Sequence, residues 1–205
     1  MRLWSIQPEG IYYDLKDKKI LLTDIRKSDT FMSPQEMESG IYNYEDIAIK
    51  NAYNWLVREM HKRIPDSLYN PSYPWWAWHT YNGKHKKPDL RHSLSTPGEK
   101  CACIELEIPD KDVLLHDYDN WHIPLGGYPL ILDAVNEEDW ERKYERFNSI
   151  KDSAAYTEAM EKSWEGIFNV DYCDIPWQER GMYIQATFWE LRYDQIVNVR
   201  FFTSR

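Results

Sequence analysis

Glycine is scarce in this 205-residue chain, with 8 copies, and cysteine scarcer, with 3. So few glycines exclude collagen-like and linker-rich architectures, and an odd number of cysteines excludes a disulfide framework. Cys101 and Cys103 are two apart in the strand-like CACIELEI and so share a face, yet no further Cys or His stands at a zinc-type spacing. Buried, reduced thiols are the expectation, and no metal is predicted. Long apolar runs are missing too: no stretch approaches the roughly 20 apolar residues of a membrane span, and the opening MRLWSIQPEG is too polar for a signal peptide. These absences predict a soluble, cytoplasmic protein with no membrane partner.

Positive charge is in deficit, with 25 Lys and Arg against 34 Asp and Glu for a net −9. Long-range attraction to a phosphate backbone is disfavoured, so nucleic acid is not an expected partner. The phosphate-loop pattern GxxxxGK[ST], the dinucleotide pattern GxGxxG, the zinc pattern HExxH and the nucleophile pattern GxSxG are all absent. Nucleoside-triphosphate and zinc-hydrolase chemistry lose most of their support.

Aromatic residues stand out instead, at 15% of the chain and including 10 tryptophans. A buried indole N–H wants a partner, so ten are more than a core of this size needs and some are expected to face a ligand. The length fits one domain over residues 1–205, enough to bury about 70% of the surface of the unfolded chain.

Periodicity predicts an α+β fold with a mixed or antiparallel sheet and packing helices. RLWSIQ at 2–7 reads as a strand, PEGIYYDLKDKK as a helical turn or two, and ILL at 20–22 as a second strand; Thr23 to about Asn43 is polar and reads as loop. The clearest helix is YEDIAIKNAYNWLVREMHKRI, with Ile49, Tyr53, Leu56, Met60 and Ile64 on one face. WWAWHTY, CACIELEI and DVLLHD follow as strands. Two helices come next, one with Trp140, Tyr144 and Phe147 on a common face, the other with Ala155, Ala159, Met160, Ser163, Trp164 and Phe168. GMYIQATFWEL and IVNVRFF, around a polar RYDQ turn, read as a terminal antiparallel pair.

Candidate site residues are polar groups set inside aromatic segments. In WWAWHT, Trp76, Trp78 and Thr80 share one strand face and Trp75, Ala77 and His79 the other; one face suits a stacking platform, and burial of both is the equal alternative. KHKKPDLR is either a solvated loop or an anion clamp in which Arg91 offers its planar fork. LLHDYDNWH gathers Asp117, Asp119, Trp121 and His122 at a strand end, where carboxylates and a histidine could do acid–base work, or an aspartate could cap a short helix. On the late strand, Gln185 and Thr187 interrupt a hydrophobic face, as ligand contacts or as members of a core network.

The segments LWSIQ at 3–7, AYNWLVREMHKR at 52–63, YPWWAW at 73–78, KPDLR at 87–91, VLLHDYDNWH at 113–122, KSWEGIF at 162–168 and IQATFWEL at 184–191 resemble an uncharacterised bacterial family, domain of unknown function 3841. The family pattern has a serine where this chain has His116, and an asparagine soon after the motif's histidine where this chain runs on to PLGG. The layout of opening strand, helix, short KILL strand, and a late Gln- or Glu-bearing strand followed by another is similar to small ADP-ribosyltransferases. That resemblance implies an ADP-ribosyltransferase-like fold and NAD as the cofactor, held in a cleft with nicotinamide on aromatics and cleaved through an oxocarbenium-like state as a transferase or NAD glycohydrolase. It implies Trp4 and Gln7 on the first strand, Trp76 or Trp78 as the stacking ring, and Gln185 at the late-strand position where active members carry glutamate. The expectation is therefore a tryptophan-lined, partly basic cleft for a nucleotide-like ligand. Asp117, His122 and Gln185 are its catalytic candidates; Trp4, Gln7, Trp76, Trp78, Arg91, Trp121 and Thr187 are its binding candidates. The alternative is a non-catalytic domain whose exposed tryptophans bind a protein partner.

Overall fold

A computed structural model describes residues 1–23, 44–92, 95–151 and 153–205. The loop expected from Thr23 to Asn43 lies almost wholly outside the described residues.

Strand β1 (Arg2–Pro8) runs straight into helix α1 (Glu9–Lys18). Pro8, with its φ near the value a helix entry needs, makes that junction tight. The helix stops at Lys19, whose left-handed backbone (φ 69°) lets its N–H bond the Leu15 carbonyl, and the short β2 (Ile20–Leu21) follows. Helix α2 (Tyr44–Arg63) precedes β3 (Trp75–Thr80), β4 (Lys100–Glu107) and β5 (Leu114–Asp117). Then come α3 (Tyr118–Leu125), α4 (Glu137–Asn148), α5 (Ala154–Trp164), β6 (Ile184–Phe188), β7 (Leu191–Arg192) and β8 (Ile196–Thr203).

Six strands form one sheet in the order β5-β6-β3-β1-β4-β8, every pairing antiparallel, and β2 pairs with β7 in a small second ladder. The fold is α+β. Alternation along the strands sends Leu3, Ala77, Ala102, Ile104, Ala186 and Phe188 to one face, where they bury against Leu15 of α1. The other face carries Trp76 and Leu114, covered by Ala52, Trp55, Leu56 and Met60 of α2, Trp121 of α3 and Trp164 of α5.

One sequence expectation needs correction. The terminal hairpin does not form: β6 lies between β5 and β3, β8 pairs with β4 at the far edge, and the chain between them spends Leu191 and Arg192 on β2. Burial explains the separation, since β6 is nearly all buried whereas β8 has exposed Val197, Asn198, Arg200 and Phe201 and suits an edge. On α4, Trp140 and Tyr144 share a face as expected and stack at 5.1 Å; both are half-buried, and the helix buries Asp139.

Trp164 is fully buried, meets Trp55 edge-on at 5.4 Å and donates its indole N–H to the Tyr128 carbonyl at 2.7 Å. Replacing Trp164 with Ala removes both packing and that bond, and is expected to cost about 3–5 kcal/mol in urea unfolding.

Candidate functional site

The sheet opens between β1 and β3. Their ladder contains the pair Trp4 and Trp78, and the next pair a regular register would form, Ile6 with Trp76, is not made. The Ser5 hydroxyl instead donates to the Trp76 carbonyl at 2.8 Å, and the Gln7 amide donates to Ser5 Oγ at 2.9 Å. A side chain thus takes a bond that a backbone N–H would make in a closed sheet.

A cavity of about 280 Å³ sits at this opening, lined by Ile6, Gln7, Trp76, Ala77, Trp78, Tyr118 and Gln185. Consecutive residues of one strand normally point to opposite faces, so a lining that takes Ile6 with Gln7, and Trp76 with Ala77 and Trp78, marks a gap between strands rather than a dent in one face. The Trp78 ring lies 4.9 Å from Tyr118 and 5.5 Å from Tyr81, while Trp76 meets Tyr53, His116 and Trp121 at 5.7, 4.9 and 5.6 Å. Among the described residues the lining holds two carboxamides, two indoles and a phenol, and no charged side chain.

Tyr118 is delivered by Asp117. The Asp117 carboxylate ends β5, accepts the Asn120 N–H at 2.9 Å as the N-cap of α3, and accepts the Gly181 N–H at 2.6 Å with its other oxygen. Gly181 has φ +83°, and a Cβ there would meet Tyr172 Cα at 2.7 Å, so glycine is required where the chain turns toward β6.

Of the sequence candidates, the structure brings Gln7, Trp76, Trp78 and Gln185 to one cavity. Trp121 is buried behind Trp76, and Trp4 is buried with its ring edge-on to His85 at 5.4 Å. Thr187 is buried and donates to the Leu114 carbonyl at 3.3 Å. The expectation that Arg91, Asp117 and His122 join Trp78 and Gln185 around one cavity is corrected. Arg91 is 77% exposed and grips Asp89 at 2.6 Å, its neighbour two residues back, because the Pro-Asp-Leu-Arg turn closes that fork on itself. Asp117 is spent on its two backbone donors, and His122 is exposed, with Nδ1 donating to the Tyr118 carbonyl at 2.9 Å. Asp119 and Glu190 are also outside the lining; Glu190 accepts from Ser67 at 2.6 Å and pairs with Arg192.

Sequence reasoning missed Tyr118, Ile6 and the role of Ser5. A serine inside an otherwise apolar opening strand was the available signal for the last. Basic residues lie nearby but beyond the rim: Ile6 is level with Cys103 on β4, which is level with Arg200 on β8, all on one face. Burial pushes the Cys103 thiol up to about 11, while Lys87 and Arg200 are close enough to pull it the other way.

His116 is fully buried on β5, directly across the ladder from Gln185, and neither ring nitrogen has a hydrogen-bond partner among the described residues. Burial pushes its pKa down to about 3, against a weak opposing pull from the Asp117 backbone, so the ring is neutral at pH 7.

The model of the domain of unknown function DUF3841 matches residues 2–197. The chain belongs to this family. The match contains every residue of the cleft, so the opening between β1 and β3 is part of the DUF3841 region itself. No curated protein and no solved structure matches the chain.

The depressed pKa of His116 has a thermodynamic consequence. Below pH 6.5 the unfolded chain binds a proton at this position that the folded chain refuses until about pH 3, so stability falls with pH across that window. His79, lowered to about 4 mainly by burial and next by His85, acts in the same direction. Between pH 7 and pH 5 His116 alone should remove about 2 kcal/mol, and His116→Phe should flatten the pH dependence of urea unfolding by that amount while leaving the His79 share.

Proposed function

We propose that the opening between β1 and β3 is a binding site for the nicotinamide end of NAD or a closely related nucleotide. The observation that carries this reading is the lining itself. Trp78 and Tyr118 bring aromatic rings to a flat heterocycle, and the carboxamides of Gln7 and Gln185 offer hydrogen bonds in a lining with no charged group among the described residues. The layout resemblance to ADP-ribosyltransferases supports NAD as the ligand, with Gln185 on the late strand. Arg200, on the same face beyond Ile6, and Lys87, near the Cys103 thiol, supply positive charge for phosphates leaving the cleft.

The chemistry of the lining favours recognition over cleavage. An oxocarbenium-like state needs negative charge beside the sugar, and Gln185 gives a neutral dipole. The carboxylates of Asp117 and Glu190 are already engaged elsewhere. Nicotinamide release is therefore expected from Gln185→Glu and not from the wild type.

The protein-partner alternative has its own support away from the cleft. Val135, Tyr172, Ile175 and Trp177 are exposed, and the loop carrying Trp177 is tied to Ala134 by Gln178 and brings that indole within 6.3 Å of Trp140.

The test is calorimetry with NAD. Wild type should bind, and Trp78→Ala should bind about tenfold more weakly, in line with about 1–3 kcal/mol for stacking a base on an aromatic ring. Absence of heat and of any thermal shift at millimolar NAD would remove the nucleotide reading and leave the partner surface.

A further inference from the structure

A buried histidine whose ring nitrogens find no hydrogen-bond partner among the described residues is costly in a folded protein, because its polar atoms have given up water without a replacement. His116 is such a residue, and its place in the ladder is specific. It is opposite Gln185 on the same face of the sheet, its ring lies edge-on to Trp76 at 4.9 Å, and both Gln185 and Trp76 line the cleft. Directly opposed residues hold their Cβ atoms about 4.5–5.5 Å apart, within reach for an imidazole and a flexible glutamine amide. Gln185 is half-buried, whereas His116 is fully buried with its ring against Trp76 and Trp121.

We infer that His116 is a positioning residue for Gln185: when ligand orders the cleft, the bare ring nitrogen of His116 accepts the Gln185 NH2, which turns the Gln185 carbonyl oxygen toward the ligand. The cleft then presents an acceptor and selects ligands carrying an N–H donor, an uncharged carboxamide, over the corresponding carboxylate. A neutral imidazole keeps one ring nitrogen without a proton, and that nitrogen can only accept, which gives the direction of the bond. A carboxylate brought against the Gln185 carbonyl would face a like partial charge in a lining with no cation among its described residues to offset it. This inference rests on the reading of the cleft as a nicotinamide site and adds the chemical group it discriminates.

The experiment compares NAD with its nicotinic acid analogue by calorimetry on the full chain. Wild type should prefer NAD by tenfold or more. His116→Phe, which keeps a flat ring against Trp76 and removes both nitrogens, should reduce that preference to within about threefold, whereas His116→Asn, which keeps an acceptor, should restore part of it. In 15N-histidine-labelled wild type, saturating NAD should shift one imidazole nitrogen resonance of His116 as its lone pair gains a donor; this readout does not depend on a variant folding. If wild type binds NAD but the preference survives in a folded His116→Phe chain, or the His116 nitrogens do not respond to NAD, the positioning role is wrong and the cleft reading stands. If wild type binds neither dinucleotide, the cleft reading itself fails and takes this inference with it.

Discussion

A buried carboxylate at the end of β5 holds the candidate site together. Asp117 is fully buried, and its two oxygens accept N–H groups from α3 and from the turn that leads into β6. Backbone bonding repeats the same link, with the Tyr118 N–H donating to the Tyr183 carbonyl at 2.8 Å. Charge-assisted bonds of this kind are about twice as strong as neutral ones, and a buried carboxylate that lost them would be left without compensation. Tyr118 and Gln185, which approach the cleft from elements distant in sequence, owe their common position to this knot.

The second constraint is the opening of the sheet. Closing the ladder between β1 and β3 would require backbone pairing where Ser5 now bonds Trp76. A hydroxyl satisfies the carbonyl while holding the strands apart, and the Gln7 amide completes the small network by donating to that hydroxyl. The result is a gap that breaks few hydrogen bonds and still admits a ligand-sized volume. It also accounts for the neutrality of the cleft in a chain of net charge −9, because strand interiors near a packed core tolerate amides and indoles far better than unpaired ions.

Much of the local structure was legible before any coordinates. The opening strand and helix, the long α2, the tryptophan strand β3 and the capped turn at Asp117 all follow from short-range patterns: period two or near 3.6, a proline at a helix entry, and an aspartate three residues before the N–H it caps. The face assignments of Trp75 to Trp78 and of Gln185 and Thr187 are equally local, and the ladder agrees with them up to the irregularity after Trp78, where Thr80 falls opposite Ile184. Such features depend on residues within one turn or one strand, so a single segment contains the information.

Partner choice and proximity lie beyond any single segment. Nothing in RYDQ says that its flanking strands will part, with β6 entering the middle of the sheet and β8 taking the edge; that outcome minimises exposed apolar surface over all six strands at once. Arg91 and His122 have the residue types of a site, but Arg91 closes on Asp89 and His122 faces solvent, while His116 is sealed beside Gln185. The sequence specifies which side chains can form hydrogen bonds, carry charge or stack. Which of them meet in the opening between β1 and β3 depends on strand order and on burial, because proximity between distant segments is a property of the packed core as a whole.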